Sequence, residues 1–472
     1  MIGNETSIKF AGKFIIVGFG CVGQGLLPVL LRHFDILPTQ IKIITADESG
    51  RAEADHYQVP FSVCPLTFSN YREILGSALN QGDFLLNLAI NVSSTALMEL
   101  CHERHVLYLD ACIEPWAGGY TDTSLSPSDR SNYALREEML ALRQKLGKGA
   151  TAIPSHGANP GLVSHWVKQA LLNLAKDIGL DSEIPQTREA WAQLAYKLNI
   201  SVIQCAERDT QISDPPKQLD EFINTWSVDG FAGEGSQPAE LGWGSHEKYF
   251  PIDGKHHNFG GDAAIYLERP GVSTRVRAWT PREGAYQGFL ITHGESISIA
   301  DYLTIKEQDR LCYRPTVYYA YHPCDGAVLS VHEFSGKNLT LQTTQRLLMD
   351  DIVDGIDELG VSLMGHSRNV YWYGSVLSIE EARKLAPYNN ATSLQVVAGV
   401  LSGIVWAIEN PDAGIIEPDE MPFERVLEVA TPYLGKVVGE YGDWTPIMDR
   451  GVLFEEDMDS TDPWQFKNFR VT

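Results

Sequence analysis

A chain of 472 residues exceeds what one ordinary core serves and predicts two or three domains, and 44% hydrophobic with 21% charged residues excludes disorder as its default state. Its 61 acidic against 37 basic residues leave a formal charge of −24, which argues against nucleic acid or an anionic membrane as partner and favours cationic ligands, although acidic surfaces also serve solubility alone. The opening MIGNETSIKF has no basic stretch followed by an apolar run, and the apolar stretch Val396–Ile408 is shorter than a membrane span, which needs roughly 18 residues. The expectation is therefore a cytoplasmic protein with a buried helix there, and the 7 scattered cysteines, without a CxxC pair, read as reduced thiols.

From the N-terminus, short β-branched runs alternate with amphipathic ones, the pattern of a parallel sheet built from βαβ units. It predicts strands at Phe14–Val17, Ile41–Thr45, Phe84–Leu88, Val106–Leu109 and Ala150–Ile153, with helices at Val22–His33, Ser93–Arg104 and Tyr133–Leu146. At the first strand-to-helix junction stands Gly18-Phe19-Gly20-Cys21-Val22-Gly23. In a GxGxxG turn the first glycine makes the turn, the second admits a pyrophosphate and the third packs helix on strand, so this is the fingerprint of a dinucleotide-binding Rossmann domain over residues 1–155. The second strand runs into Asp47, whose carboxylate suits both ribose hydroxyls of NAD and repels the 2′-phosphate of NADP. Arg51 lies four residues on and leaves NADP open. By the same topology Asn91, Asp110, Ala111 and Cys112 emerge at the carboxyl edge of the sheet, where ligands bind. Cys112 has no identifiable partner base and reads better as a packed thiol than as a nucleophile.

Ser155-His156-Gly157-Ala158-Asn159-Pro160-Gly161 then feeds a helix to about Lys176, a natural place for a nicotinamide ring. Residues 156–390 change texture. Runs at Ser201–Gln204, Ala263–Leu267, Arg314–Tyr321 and Val328–Glu333 predict a mixed α+β substrate and dimerisation domain, its strands mostly antiparallel. Residues 391–472 read as C-terminal helices and a tail that pack back on the Rossmann domain and make it discontinuous. No ligand-spaced His/Cys cluster is present, so no metal is expected. The arginines Arg275, Arg277 and Arg282 are able to bind a carboxylate but fit strand faces or surface ion pairs better.

Through GFGCVGQG, LDACIEPW, SHGANPGLVSHWVK, WSVDGFAGEGSQPAE (226–240), THGES at His293 and GIDELG near Asp357, the chain resembles the bacterial homospermidine synthases, relatives of the saccharopine dehydrogenase-like reductases, nearly end to end. The resemblance implies a homodimer that keeps NAD bound and joins two putrescines into homospermidine with loss of ammonia. Spermidine serves as alternative donor, with diaminopropane leaving. It places Glu207 and Glu234 at the diamine site and matches Trp226 to a cation-binding indole. Asn159 and His293 match positions beside the reacting carbon and nicotinamide, with orientation and proton handling as their roles. Glu240 joins the acids of the same region, and either Asp357 or Glu358 supplies a further one.

The residues support that chemistry on their own account. A primary amine must lose its proton before giving up hydride or attacking, a distal ammonium needs a carboxylate, and an iminium needs a wall that tolerates positive charge. Two other functions fit the fold: a saccharopine-type or carboxylated-polyamine dehydrogenase, and an NAD-sensing binding protein without catalysis. The first would offer arginine or lysine to a substrate carboxylate, whereas the segment 226–240 carries Asp229, Glu234 and Glu240 and no basic residue. Whether the second amine attacks the iminium directly or a hydrolysed aldehyde stays open.

Overall fold

The computed structural model of the protein describes residues 8–180 and 183–471. Strands β1 (Phe14–Val17), β2 (Ile41–Thr45), β3 (Phe61–Val63), β4 (Phe84–Asn87), β5 (Leu107–Asp110) and β6 (Ala152–Ile153) form a parallel sheet in the order β3-β2-β1-β4-β5-β6. All four residues of β1 are buried because both faces are covered: Phe14 and Ile16 pack with Leu26 and Leu27 of α1 (Cys21–His33), Ile15 and Val17 with Leu97 and Met98 of α2 (Ser94–Arg104). α2 begins where the Ser93 hydroxyl accepts from the Ala96 N–H, and α3 (Asn132–Leu146) where the Ser131 hydroxyl accepts from Ala134. The strand order turns back between β1 and β4, which opens the ligand crevice of a Rossmann fold above their carboxyl ends. The short edge strand β3 is the one element of this sheet absent from the sequence expectation.

After α4 (Leu162–Asp177) the chain builds a second, eleven-stranded sheet. Its members are β7 (Val202–Asp209), β8 (Pro238–Gly242), β9 (Gly254–His256), β10 (Ala264–Pro270), β11 (Arg275–Thr280), β12 (Gly284–Ile291), β13 (Thr316–His322), β14 (Ile356–Met364), β15 (Val370–Ser378), β16 (Lys436–Gly442) and β17 (Arg470–Val471). The spine runs β9-β10-β8-β13-β7-β14-β15-β16, and β12, β11 and β17 branch from β13. Pairing is antiparallel except between β7 and β13. That register sets Glu207 opposite Tyr321 on one side and Leu359 on the other, and Asp209 opposite Asp357. Val328–Glu333, expected as a strand, belongs to a helix, Asp325–Gly336, whose buried Ala327, Val331 and Phe334 recur at helical spacing.

The helix Ala391–Glu409 opens on a capping box of Asn390 and Ser393 and packs against α1 and β5. A Cβ on Gly399 would stand 2.0 Å from the Gly157 carbonyl oxygen, so glycine is what lets this helix reach the loop after β6. Ile415 bridges to Ala152 beside it. Among the described residues this is the one helix long and apolar enough to cross a membrane, longer than the apolar stretch suggests, and 89% of its span window is buried inside the protein. The tail beyond departs from the expectation for residues 391–472, because β16 and β17 join the second sheet and cover edges of β15 and β11 that would otherwise stand unpaired.

Candidate active site

The glycine turn sits above β1 with Gly18 at φ 81°, where a Cβ would stand 2.7 Å from the Ala89 backbone nitrogen. A Cβ on Gly20 would meet nothing within 4 Å, so open space faces the free N–H groups of the first turn of α1, the arrangement that receives a pyrophosphate. Gly23 lies under the Phe19 ring, which itself packs edge-on against Phe61 at 6.0 Å. Val22 is half-buried, and burial raises the Cys21 thiol to about 11, so Cys21 contributes packing and backbone. Asp47 lies exposed past the end of β2 and accepts the Ser49 N–H at 2.8 Å. Arg51 is taken up by an ion pair with Glu48 and by the Phe61 ring, 4.5 Å from its guanidinium.

Asn91, at φ 62°, turns the chain after β4 and donates its backbone N–H to Glu114 at 3.1 Å. The Asp110 carboxylate is consumed by the protein: Tyr108 donates to it at 2.6 Å and the Ser155 N–H at 2.6 Å. It ties β5 to the loop that carries Asn159. Ala111 and Cys112 are half-buried beyond it, and burial together with the nearby carboxylates Glu234 and Glu114 pushes the Cys112 thiol well above its ordinary range. A thiol so held is no nucleophile.

Beyond this edge Asn159 donates its amide to Glu207 at 3.1 Å, and the Tyr319 hydroxyl donates to the same oxygen at 2.5 Å. The Tyr319 ring stacks on His293 at 4.5 Å. His293 stands between two carboxylates, Glu234 at 3.1 Å from Nε2 and Glu295 at 3.3 Å from Nδ1. Burial lowers its pKa, but the charges of Glu295 and Glu234 outweigh that and raise it to about 10, so the ring is an imidazolium at neutral pH. The half-buried Trp226 donates its indole N–H to Tyr321 at 2.9 Å and packs on Phe231 at 5.6 Å. Helix α5 (Val228–Ser236), started by the Ser227 hydroxyl, presents Glu234 from the following turns.

Below Glu207 on the same face of β7 lies Asp209, and across the ladder Asp357 faces it; the Thr392 hydroxyl donates to Asp357 at 2.5 Å. Burial raises Glu207, Asp209 and Asp357 above the usual carboxylate range, and repulsion by neighbouring carboxylates adds to it at Glu207 and Asp357. Strand alternation turns Glu358 to the opposite face, where it accepts from Thr280, Arg282 and Glu283. Asp357 is therefore the acid of the pair on the face that carries Glu207 and Asp209. Glu240 does not reach it. Its oxygens accept from the Asn132 N–H at 2.9 Å, the Tyr133 N–H at 3.3 Å and Thr292 at 2.5 Å, which makes it the N-terminal clamp of α3.

The structure adds residues that sequence reading missed. Glu114, raised to about 8 by burial, lines a cleft of about 90 Å³ with Asn91, Tyr120 and Asp229. Tyr319 and Tyr321, two apart on β13, stack at 5.3 Å, a signal visible in the alternation of TVYYAYH. Glu114, Glu207, Asp209, Glu234, Glu295 and Asp357 are each 7% exposed or less. Among the described residues no arginine or lysine hydrogen-bonds to the carboxylate of any of them, although Arg208 donates to the Asp209 backbone carbonyl at 2.6 Å. Acidic groups are thus concentrated around an imidazolium and an indole at the mouth of a dinucleotide crevice.

A Rossmann edge facing an acid-lined pocket in an α+β domain defines an NAD(P)-linked enzyme of the saccharopine dehydrogenase class. The family models agree: the saccharopine dehydrogenase NADP binding domain matches residues 14–153 and the saccharopine dehydrogenase C-terminal domain residues 157–443. Homospermidine synthase of Blastochloris viridis is 52% identical over 98% of both chains, and that of Mesorhizobium japonicum 49% identical over 98% of this chain and 97% of its own. The crystal structure of the Legionella pneumophila homospermidine synthase in complex with NAD is similar at a TM-score of 0.94, with 51% identity, covering 99% of this chain and 100% of that one. The chain belongs to the homospermidine synthase family and is an enzyme of that type.

Proposed function

We propose that the protein binds NAD across the crevice of its first domain and joins two putrescines into homospermidine, with release of ammonia and no net redox change. The observation that carries this reading is the set of six buried carboxyls whose one cationic partner among the described residues is His293, shared by Glu234 and Glu295, an excess of acid that suits a diammonium substrate and disfavours a carboxylated one. Spermidine fits the same charges as donor, with diaminopropane leaving. The saccharopine-type alternative calls for an arginine or lysine at a substrate carboxylate, and the one cation on this acid cluster among the described residues, His293, is already held by Glu234 and Glu295.

The dinucleotide finds its place in the open space at Gly20 and the free N–H groups of Cys21, Val22 and Gly23, with Asp47 at the adenosine ribose and Asn91, Ala111 and Asn159 along the path to the nicotinamide. Although the family model is described by NADP, Asp47 favours NAD, and Arg51 is already paired. Bound there, NAD supplies a hydride acceptor and, later in the cycle, a hydride donor. The protein supplies the rest. Glu207, held by Asn159 and Tyr319, takes the proton from the amine that reacts. Trp226 offers its ring face to the positive reacting centre. Glu234, steadied by His293, holds an ammonium, and Asp209 with Asp357 offers carboxyl oxygens to the far one, which takes the place of their protons. Asp110 and Cys112 shape the wall. The working unit is a homodimer, as the resemblance implies.

Incubation with NAD and putrescine tests this reading through mass analysis of the polyamines alongside NADH absorbance. Homospermidine formed without accumulating NADH is expected. Steady NADH production would favour a dehydrogenase, and no conversion a binding protein.

A further inference from the structure

Behind the imidazolium lies a second cavity of about 30 Å³, room for one or two species the size of water, at the meeting of α3, the loop after β6 and the helix Gly294–Tyr302. Its lining includes Asn132, Arg136, Ser155, Ser164, Glu295 and Ser298. Two buried oxygens on this lining have no hydrogen-bond partner among the described residues: Asn132 Oδ1, in a residue 2% exposed, and Glu295 Oε2, in one 1% exposed. Both are acceptors, and an unpaired buried acceptor is costly.

The charged donors nearby are committed. Arg136 makes a bidentate pair with Glu417 at 2.7 and 2.8 Å and reaches Asp301 at 2.9 Å, which Arg188 also binds. Two arginines there balance two carboxylates. The Ser164 and Ser298 hydroxyls serve Asp419, whose charge Lys168 offsets. On the other wall one imidazolium, His293, faces two carboxylates, Glu234 and Glu295. Glu295 thus shares its one cationic partner with a second carboxylate and keeps Oε2 without a partner on the lining of this cavity.

We propose that this cavity is a binding site for one desolvated monovalent cation of ammonium size, held by Glu295 Oε2 and Asn132 Oδ1. Ammonium and potassium share that size and charge, and their sources differ: one is the small product under the reading above, the other comes from the medium. A cation here completes the pairing of Glu295 from behind and loosens its hold on the His293 proton, linking occupancy to the acid–base state of the pocket. Only the product assignment rests on the synthase reading.

The test uses the full chain without substrate, so its outcome is independent of whether putrescine is turned over. Thermal midpoints are measured against ammonium, potassium, sodium and tetramethylammonium chlorides at constant ionic strength. Ammonium is expected to raise the midpoint saturably by about 2–4 °C over tetramethylammonium, the size of shift that ligand linkage gives a protein of this length. A matching rise with potassium identifies a site open to the medium, and a rise with ammonium alone a site for the product. Asn132→Leu should abolish the selective rise. Should that variant not fold, thallium soaked into crystals of the unaltered protein replaces it as probe, with anomalous density expected between Asn132 and Glu295. Equal midpoints in all four salts, or thallium absent from the cavity, would overturn the proposal.

Discussion

Trp226 and Glu234 divide one cationic substrate between a ring face and a charge, and substitution separates the two contributions. Trp226→Ala should slow turnover while Trp226→Phe keeps part of it, because phenyl is a weaker π donor of similar flatness. Glu234→Gln preserves size but removes the charge, so it should weaken putrescine binding by about 1.5–3 kcal/mol, a factor of roughly ten to a hundred, and leave NAD affinity unchanged in calorimetric titration. If both variants turn putrescine over at the normal rate, the substrate lies elsewhere. Asp47→Ala should weaken NAD more than NADP, and equal affinity of the unaltered protein for the two dinucleotides would remove Asp47 from the ribose. At this scale the sequence was most readable for residues inside local motifs. Which of Asp357 and Glu358 faces the pocket is a matter of strand alternation, and it became decidable once the register of β14 against β7 was known.

Glu240 shows how an element claims a residue that its neighbourhood in sequence assigns to substrate. Its carboxylate clamps the first turn of α3, which is 108 residues away along the chain. Glu240→Ala should therefore cost about 2–4 kcal/mol of stability, since it strips charge-assisted bonds from two buried N–H groups. Urea denaturation measures this, and unchanged stability with lost diamine binding would return Glu240 to the site. The same limit explains the other departures. In Val328–Glu333 the β-branched content suggests a strand, while the spacing of Ala327, Val331 and Phe334 is helical, and spacing won because one face of the segment is buried and the other is not. β3 is three residues long at a sheet edge and carries too little pattern to detect. The Rossmann strands were legible because each is buried on both faces and bounded by turn residues. The cluster that joins Glu114, Glu207, Glu295 and Asp357 was not, because long-range folding assembles it.

For the whole molecule the buried charges set a direction with pH. Glu114 rises from an ordinary 4.5 to about 8, and Glu207, Asp209 and Asp357 rise too, so their contributions are full below the usual carboxylate range and are lost as pH climbs through their raised values. His293 rises from 6.5 to about 10, which adds stability below pH 6.5 that fades toward 10. Both shifts act the same way. Burial lowers His156, His165, His246, His322 and His366, which opposes this trend below pH 6.5. The substrate-free protein should therefore lose thermal stability from about pH 6.5 to pH 10, and putrescine should restore more of it at pH 8.5 than at pH 6, since its ammonium groups replace the protons that the carboxyls give up. Scanning fluorimetry across that range checks the sign, and stabilisation by putrescine that is greatest at pH 6 would contradict the charge assignment.

The most direct measurement of the central claim, that one bound dinucleotide takes and returns the same hydride, uses putrescine deuterated at the carbons beside both amines with unlabelled NAD. Mass analysis of the homospermidine should show the transferred deuterium retained in full, with none appearing in free NADH. Loss of one deuterium per turnover to the NADH pool would contradict it and assign the protein an ordinary dehydrogenase cycle.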